Sequence, residues 1–383
     1  MTLYIILMTK VVRGGYDKMI EGRLLLKTRQ LKAGMITAKK ILNSEGILVM
    51  EECRILTDDD IRVLRANRIT DVTIFNCVDD DIEEVDINDG IYGEYVDSIR
   101  NSMEFQEFEA EFTEATELLK DKMNRIVNEN LEIDIEDVIV TVKGIVASAG
   151  NTGSLMDMLS CLRGFDDETY VHSLNVALIS STIAKWMNLP QHRIDEVMLA
   201  GLLHDIGKIK VDKEILTKKS RLKPNEYEHI QTHAVQGYKI VEYSSVSRDV
   251  KLGVLQHHEK CDGSGYPLGC TGEKIGWIPK ILTIADIYDA MTSRRCYREP
   301  ISPFEVLKQF EDDGFNKYGT KELLTFFNGI ADTYLGRMVM LSDGQVGEII
   351  YINRTDVARP IVRTKKGYID TSKEKSIRIE GII

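Results

Sequence analysis

Two adjacent pairs of residues dominate the chemistry that this sequence can perform. His204 and Asp205 are neighbours in the chain, and so are His257 and His258 further along. Successive residues of a helix do not share a face, so His257 and His258 cannot both point into one core, and the pair requires polar partners. Imidazole and carboxylate groups together are typical ligands of divalent transition metals. The two pairs therefore predict a metal centre.

Four more residues have positions that suit the same centre. Glu168 and His172 are four residues apart, so their side chains share one face of a predicted helix. His233 lies on the inward face of a helix that is predicted to begin near Pro224. Asp286 interrupts a strongly apolar run, where a charge is costly unless it is paired or bound to metal. These residues would add ligands that the two pairs alone do not supply.

Each candidate also has an ordinary structural explanation. A single histidine on a helix is more often structural than a ligand, Glu168 suits a first helical turn, and Asp286 could pair with a nearby arginine. His192 and His229 are interpreted as structural residues and not as ligands. His229 falls off the apolar face of its helix. Coincidence is a poor explanation for the remaining residues taken together. The predicted metal ligands are Glu168, His172, His204, Asp205, His233, His257, His258 and Asp286.

The ligand types and their number indicate the kind of metal and the ion count. Mixed imidazole and carboxylate ligands suit iron, manganese or zinc rather than calcium or a thiolate-bound metal. So many ligands exceed the needs of one ion. Two ions, roughly 3.5–4 Å apart, would activate a bridging hydroxide and stabilise the entering and leaving oxygens of phosphoryl transfer. We expect two or three divalent ions, the third depending on Glu168.

A mainly α, multidomain fold is expected to position these residues. Pro190 and Pro224 stand where first helical turns should begin, and Gly207 stands where the helix that carries His204 should end. No strong strand signal interrupts the region around them, which predicts an all-α domain with small modules on either side. The expected organisation is a poorly defined segment at 1–22, a small α+β module at 23–77, an acidic linker with connecting helices at 78–149, an all-α domain at 150–335 and a small β module at 336–383.

Two local patterns predict individual helices in the flanking regions. Thr57 precedes three aspartates and reads as the N-cap of a short helix. Phe105, Phe108 and Phe112 begin a spacing of three and four residues, which is typical of a helix with one buried face.

Composition limits the classes of partner. The 49 basic and 61 acidic residues give a formal charge of −12, which argues against nonspecific binding to nucleic acid or to an anionic membrane. Six cysteines without a Cys-x-x-Cys pair favour a reduced, cytoplasmic chain. The longest early apolar run, Leu3 to Met8, is too short to span a bilayer. Met19 is an alternative start to Met1, and the sequence alone leaves this open.

The motifs closely resemble those of the HD-GYP family, a branch of the HD superfamily of metal phosphohydrolases whose members hydrolyse cyclic di-GMP. His204-Asp205 matches the HD pair, and Gly265-Tyr266-Pro267 matches the triplet that names the branch. The resemblance covers about residues 150–335. It departs from the family at Lys260, where arginine is common, and at Cys296, where proline is common.

The resemblance implies a role for each matched residue. His204, Asp205 and Lys208 would form the catalytic group, with Lys208 contacting phosphate. Tyr266 would shape the nucleotide pocket, and Arg295 and Arg298 would be further phosphate contacts. In members with three metals, the additional ligands would be Glu168 and His172, beside the six at His204, Asp205, His233, His257, His258 and Asp286.

These observations together predict a metal-dependent phosphodiesterase that converts cyclic di-GMP to pGpG, with further hydrolysis to GMP left open. Iron or manganese is the expected cofactor. Two alternatives remain at this point: a noncatalytic cyclic di-GMP receptor, and a hydrolase of another cyclic dinucleotide. No nucleic-acid partner and no membrane span are expected, whereas a homodimer and an unidentified signalling partner are left open.

Overall fold

The computed structural model describes residues 17–20, 23–43, 46–52, 54–75, 97–129, 131–162, 168–218, 222–293 and 301–383. Contacts divide the chain into two compact units. One comprises Met1–Asp86 with Val362–Ile369, and the other comprises Ile87–Ile361 with Asp370–Ile383. The predicted mainly helical fold with small flanking sheets is confirmed. The acidic stretch at 78–90, predicted to be a linker, lies outside the described residues.

Up to Phe75, the described residues of the first unit form short strands and one α-helix. Its elements are β1 (Asp17–Ile20), β2 (Arg23–Lys27), β3 (Ile41–Leu42), β4 (Leu48–Met50), α1 (Asp58–Ala66) and β5 (Asp71–Phe75). Strands β1, β2 and β5 form an antiparallel sheet in that order, and β3 pairs with β4. Thr57 caps α1 as predicted, because its hydroxyl accepts a hydrogen bond from the Asp60 backbone N–H at 3.1 Å. Leu26, Leu56, Leu64 and Val72 lie in its buried core.

The second unit is built mainly of helices. The predicted face of Phe105, Phe108 and Phe112 is buried on the first of them, so the spacing gave the correct helix and the correct side. The helices are α2 (Met103–Glu129), α3 (Glu136–Ser148), α4 (Thr152–Cys161), α5 (Glu168–Trp186), α6 (Gln191–Leu203), α7 (Lys213–Leu216), α8 (Pro224–Gln231), α9 (His233–Val241), α10 (Arg248–Gln256), α11 (Trp277–Thr292), α12 (Pro303–Asp313) and α13 (Thr320–Tyr334).

Five strands follow the helices. They are β6 (Met338–Leu341), β7 (Val346–Asn353), β8 (Asp356–Thr364), β9 (Gly367–Asp370) and β10 (Ile379–Ile382), and their order in the sheet is β10-β6-β7-β8-β9. Strand β6 is antiparallel to both β10 and β7.

Among the described residues, no single helix has the length and apolar character needed to cross a membrane. Helices α3 and α4 together pass that test, but they meet at a bend of 108°.

The helix predicted to run from Pro224 through His233 is interrupted, which corrects that expectation. Helix α8 ends at Gln231, and His233 begins α9. At the break, both the backbone N–H and the hydroxyl of Thr232 donate to the carbonyl of His229, at 3.2 and 2.7 Å. This tightened turn separates the two helices, and His233 is buried in the core of the second unit.

Glycine is required at position 207 for a reason other than the predicted helix end. Helix α6 already ends at Leu203, and Gly207 lies within a short 3₁₀ helix at Ile206–Lys210. A Cβ atom at position 207 would lie 2.0 Å from the His233 carbonyl oxygen and 2.4 Å from the Gly237 nitrogen. Glycine is therefore required by the close approach of α9, and not as a helix stop.

Candidate metal centre

Helices α5, α6, α9, α10 and α11 of the second unit bring seven of the eight predicted ligands to one place. Helix α5 supplies His172, and α11 supplies Asp286. The remaining positions are at helix ends, where neighbouring side chains can diverge and still reach one cluster. His204 and Asp205 follow α6, His233 opens α9, and His257 and His258 follow α10.

Three histidines of the cluster are oriented in the same way. Each ring places Nδ1 against a backbone carbonyl three residues earlier in the chain. A carbonyl oxygen can only accept, so each Nδ1 carries the hydrogen and each Nε2 presents a lone pair. The contacts are His204 to Gly201 at 2.7 Å, His233 to Ile230 at 2.7 Å and His257 to Val254 at 2.9 Å.

His233 and His257 then face each other with two lone pairs. Their Nε2 atoms are 3.1 Å apart, and both side chains are buried. Burial lowers the pKa of His233 and lowers that of His257 further, so a proton shared between the two rings is disfavoured near neutral pH. Two facing lone pairs in a buried site are the arrangement that a bound cation would relieve.

Asp205 lies at the centre of the cluster. One carboxylate oxygen is 3.3 Å from His233 Nε2, and the other is 3.3 Å from His204 Nε2. Asp205 Oδ1 and His204 Nε2 are buried and have no hydrogen-bond partner among the described residues. Burial opposes ionisation of Asp205, but the Lys208 ammonium beside it holds its pKa well below the usual range. Buried polar atoms without partners in a set of imidazoles and a carboxylate fit a divalent metal ion.

The ligand atoms form two overlapping groups that share Asp205. Within each group the atoms lie within 4.8 Å of one another. One group is Asp205, His233, His257 and His258; the other is His172, His204 and Asp205. Asp286 lies between them, with one oxygen 3.0 Å from His172 Nε2 and the other 3.4 Å from His258 Nδ1. Burial opposes ionisation of Asp286 too, but the imidazoles of His172 and His258 beside it keep its pKa well below the usual range.

The glycine-rich turn places Tyr266 against the cluster. The Tyr266 ring lies 4.6 Å from the His258 ring, and its backbone N–H donates to the His258 carbonyl at 3.2 Å. Gly265 is required there, because a Cβ atom would lie 2.4 Å from the Lys260 nitrogen. Burial raises the pKa of the Tyr266 hydroxyl, which therefore stays protonated. The turn thus presents a neutral phenol at the edge of the metal centre.

Comparison with known proteins agrees with this geometry. The family model described as HD domain matches residues 155–321, a segment that contains the HD pair and the Gly-Tyr-Pro turn. Residues 155–321 form an HD domain of the HD-GYP family.

Curated relatives carry related activities. Over 204 residues, 53% of this chain and 49% of the relative, the HD-domain chain is 31% identical to a cyclic di-GMP phosphodiesterase of Pseudomonas aeruginosa. It is 36% identical to a cyclic di-GMP phosphodiesterase of Thermotoga maritima, over 47% of this chain and 50% of that protein. It is also 37% identical to 3′,3′-cGAMP-specific phosphodiesterase 1 of Vibrio cholerae, over 36% of this chain and 32% of that protein. The chain thus spans about half the length of the first two relatives.

Some predicted site residues of the HD domain fall outside the described part. The backbone of Glu168 is the first residue of α5, but its side chain lies outside the description. Arg295, Cys296 and Arg298 lie outside the described residues altogether. His192 and His229, which were interpreted as structural residues and not as ligands, are exposed.

Two buried acids of the HD domain were not among the predicted site residues. Asp289 accepts a hydrogen bond from His172 Nδ1 at 2.6 Å. Glu259 accepts hydrogen bonds from the backbone N–H groups of Leu268 and Cys270 at 2.6 and 2.8 Å. Asp289 is in the same apolar run as Asp286, so the argument against an unpaired buried charge applied to it equally. Glu259 carried no such signal, because its partners are backbone groups that follow the turn.

Replacement of Glu259 by alanine is expected to weaken substrate binding and leave the metal content unchanged. The backbone N–H groups of Leu268 and Cys270 would lose a charged acceptor, and a hydrogen bond to a charged group contributes roughly 1.5–3 kcal/mol. The turn that carries Tyr266 would loosen, and we expect a higher KM and a lower melting temperature. Glu259→Gln should show a smaller effect, because its amide keeps one acceptor oxygen.

Steady-state kinetics and metal analysis would check the Glu259 prediction. Glu273→Ala is the matched control, because Glu273 is an exposed acid near the same turn. An unchanged KM in Glu259→Ala would contradict the prediction.

The metal-free HD domain is expected to lose stability as the pH falls below about 6.5. Burial lowers the pKa of His258 to about 3 and lowers those of His233 and His257. The unfolded chain therefore binds more protons than the folded one below the ordinary histidine value, and stability decreases by up to about 1.4 kcal/mol per pH unit for each such proton. The low pKa values of Asp205 and Asp286 add a further loss only below their ordinary value of 3.8.

Thermal unfolding of chelator-treated protein between pH 7.5 and 5 would measure this dependence. We expect His257→Gln to flatten the decline and His229→Gln, at an exposed position, to leave it unchanged. A melting temperature that is constant across this range would contradict the neutral state of the buried histidines.

Proposed function

We propose that this protein is a metal-dependent phosphodiesterase that hydrolyses cyclic di-GMP. One observation carries the proposal: His233 and His257 direct lone pairs at each other 3.1 Å apart beside the buried Asp205 carboxylate. That arrangement suits a cation and has no use in an ordinary core. The Pseudomonas and Thermotoga relatives, which are cyclic di-GMP phosphodiesterases, support the choice of substrate.

The proposed cofactor is two or three ions of iron or manganese. Asp205 would be shared between ions, because it belongs to both ligand groups. Glu168 would contribute to a third ion together with His172. When bound, such ions supply an activated water and stabilise charge on the phosphoryl oxygens. The proposed ligands are Glu168, His172, His204, Asp205, His233, His257, His258 and Asp286.

The remaining side chains would bind and orient the substrate. Lys208 Nζ donates to Asp205 and its side chain is 21% exposed, so it lies at the edge of the cluster, where a phosphate can reach it. Tyr266 would border the nucleotide. Arg295 and Arg298 would donate paired hydrogen bonds to phosphate oxygens. Water adds across one phosphodiester bond to give linear pGpG, and addition of a second water would give GMP.

The proposal includes an organisation of the chain. The helices between residues 150 and 335 would form the all-α catalytic domain. The segments at 23–77 and 336–383 would be an α+β module and a β module, and the stretch at 78–149 would connect the first of these to the catalytic domain. Regulation through the two modules by a signalling partner, and assembly as a homodimer, would be consistent with this organisation.

The test is reconstitution with Fe²⁺ or Mn²⁺ under anaerobic, reducing conditions, followed by chromatography of the products from cyclic di-GMP. We expect pGpG to accumulate before GMP. His257→Ala is the control that should bind less metal and form no product. Absence of turnover at fully occupied metal sites would refute the catalytic proposal, and tight binding without hydrolysis would instead favour a noncatalytic receptor.

A second substrate has specific support. The relative from Vibrio cholerae acts on 3′,3′-cGAMP, and its identity to this chain is similar to that of the other two. Competition between cyclic di-GMP and 3′,3′-cGAMP, measured as the ratio of kcat/KM values, would decide between them. A ratio that favours 3′,3′-cGAMP would replace the proposed substrate and keep the proposed chemistry.

A further inference from the structure

His172 is oriented differently from the histidines that use backbone carbonyls. Its Nδ1 lies 2.6 Å from Oδ2 of Asp289, and Asp289 is 2% exposed. The other oxygen of Asp289 accepts from Asn175 Nδ2 at 2.8 Å and from Ser293 Oγ at 2.7 Å. The opposite edge of the imidazole, at Nε2, faces Asp286 and Asp205. Asp289 therefore stands behind His172, away from the space between the candidate ligands.

We propose that Asp289 is a positioning residue that fixes the tautomer of His172 and thereby controls metal occupancy of the group formed by His172, His204 and Asp205. The inference rests on the proposed metal-dependent function. A carboxylate behind a ligating imidazole holds the ring in place and makes the metal-binding nitrogen more basic. Removal of such a partner weakens metal binding by about 10–100-fold.

The effect is expected at one group of ligands only. His204, His233 and His257 are held by backbone carbonyls, which a side-chain substitution at position 289 leaves in place. Loss of the carboxylate should therefore weaken the His172 group and spare the group of Asp205, His233, His257 and His258.

The isosteric variant Asp289→Asn should be more damaging than its size suggests. Asn175 and Ser293 both donate to Oδ1, so the oxygen of the new amide would occupy that position. Its NH₂ group would then face His172 and donate to Nδ1. The hydrogen of the ring would move to Nε2, which could no longer bind metal. Asp289→Asn therefore reverses the tautomer while it preserves the shape of the side chain.

An exchange of the two groups should restore the original tautomer. In Asn175→Asp/Asp289→Asn, the new carboxylate at position 175 accepts from the amide NH₂ at position 289. The amide oxygen then turns toward His172 and accepts from Nδ1. The total charge equals that of the unaltered protein, so recovery of metal binding would report hydrogen-bond direction and not charge alone.

The alanine variant should be milder than the asparagine variant. Asp289 lines a cavity of about 300 Å³ together with Tyr288, Ser293 and Tyr334. Removal of the carboxylate would enlarge this cavity and admit water, which can accept from His172 Nδ1 and keep the ligating tautomer. The expected order of metal affinity is therefore unaltered protein, Asp289→Ala, and then Asp289→Asn.

The experiment is equilibrium dialysis of the full chain against Mn²⁺, with metal per chain measured by mass spectrometry and folding checked by circular dichroism. Asp157→Asn is the matched control, because Asp157 lines the same cavity and pairs with Arg337 at 2.9 Å. We expect Asp289→Asn to lose one class of sites, or to bind it about 10–100-fold more weakly. The double variant should recover this class, and Asp157→Asn should retain it.

Two outcomes would overturn the inference: wild-type stoichiometry and affinity in Asp289→Asn, or an equal loss in Asp157→Asn. These measurements need no substrate. Protein that binds Mn²⁺ normally but does not hydrolyse cyclic di-GMP would refute the proposed function and leave the role of Asp289 to be decided by the dialysis.

Discussion

Replacement of Asp205 by alanine should abolish metal binding by both ligand groups and lower turnover of cyclic di-GMP by at least about a thousandfold, since bound metals contribute several kcal/mol of charge stabilisation. Asp205 is the one residue common to the two groups, and its oxygens lie 3.3 Å from His204 Nε2 and from His233 Nε2. No other change of a single side chain should affect both groups as strongly.

The conservative variant separates charge from shape at this position. Asp205→Asn keeps one acceptor oxygen, so it should retain part of the metal at high Mn²⁺ concentration, with much lower affinity than the unaltered protein. Asp312→Ala is a suitable control because Asp312 is an exposed acid on α12. Metal content and rates are measured on the same samples. Normal metal content in Asp205→Ala would place the metal centre elsewhere in the chain.

Replacement of Lys208 by alanine should lower kcat by about 10²–10³, which is the loss typical for one donor to a developing oxyanion. Metal binding should stay normal or become tighter, because the Lys208 ammonium is a cation beside Asp205 and opposes the arrival of a second positive charge. Slower turnover with undiminished metal is therefore the expected signature. It distinguishes a phosphate contact from a residue that only supports a ligand.

Lys210→Ala is the matched control for Lys208, since both residues belong to the same 3₁₀ helix. Lys210 Nζ is directed at the Val127 carbonyl, 3.4 Å away, and not at the cluster. Lys208→Arg should retain part of the rate, because it keeps the positive charge in a different shape. A fall in metal content parallel to the fall in kcat would contradict the phosphate role of Lys208.

The limits of prediction from the sequence are visible at individual residues. His204, Asp205, His257 and His258 could be assigned to one centre, because few side chains bind divalent metals and these occur in adjacent pairs. Asp289 could not be paired with His172, because the two are separated by 117 residues. That contact exists only because α5 packs against α11.

The turn before His233 and the contact at Gly207 illustrate the same limit. Helical periodicity predicts a continuous helix across Thr232, because it considers only the spacing of apolar residues and not a side-chain hydrogen bond that tightens a turn. Gly207 is the residue type that commonly ends a helix, but here its backbone touches α9. Local sequence rules cannot anticipate that contact. Local patterns were reliable where the cause was local, as in the cap at Thr57 and the buried face of α2.

The sequence by itself predicted the candidate ligands, and it determined the mainly helical fold and the family, because these depend on side-chain chemistry and on short motifs. Only the tertiary structure decided that Nε2 of each carbonyl-held histidine faces the centre, that Asp205 joins the two groups and that a carboxylate stands behind His172. The physical reason is that a tautomer follows from the acceptor that Nδ1 meets, and for His172 packing of distant helices supplies that acceptor.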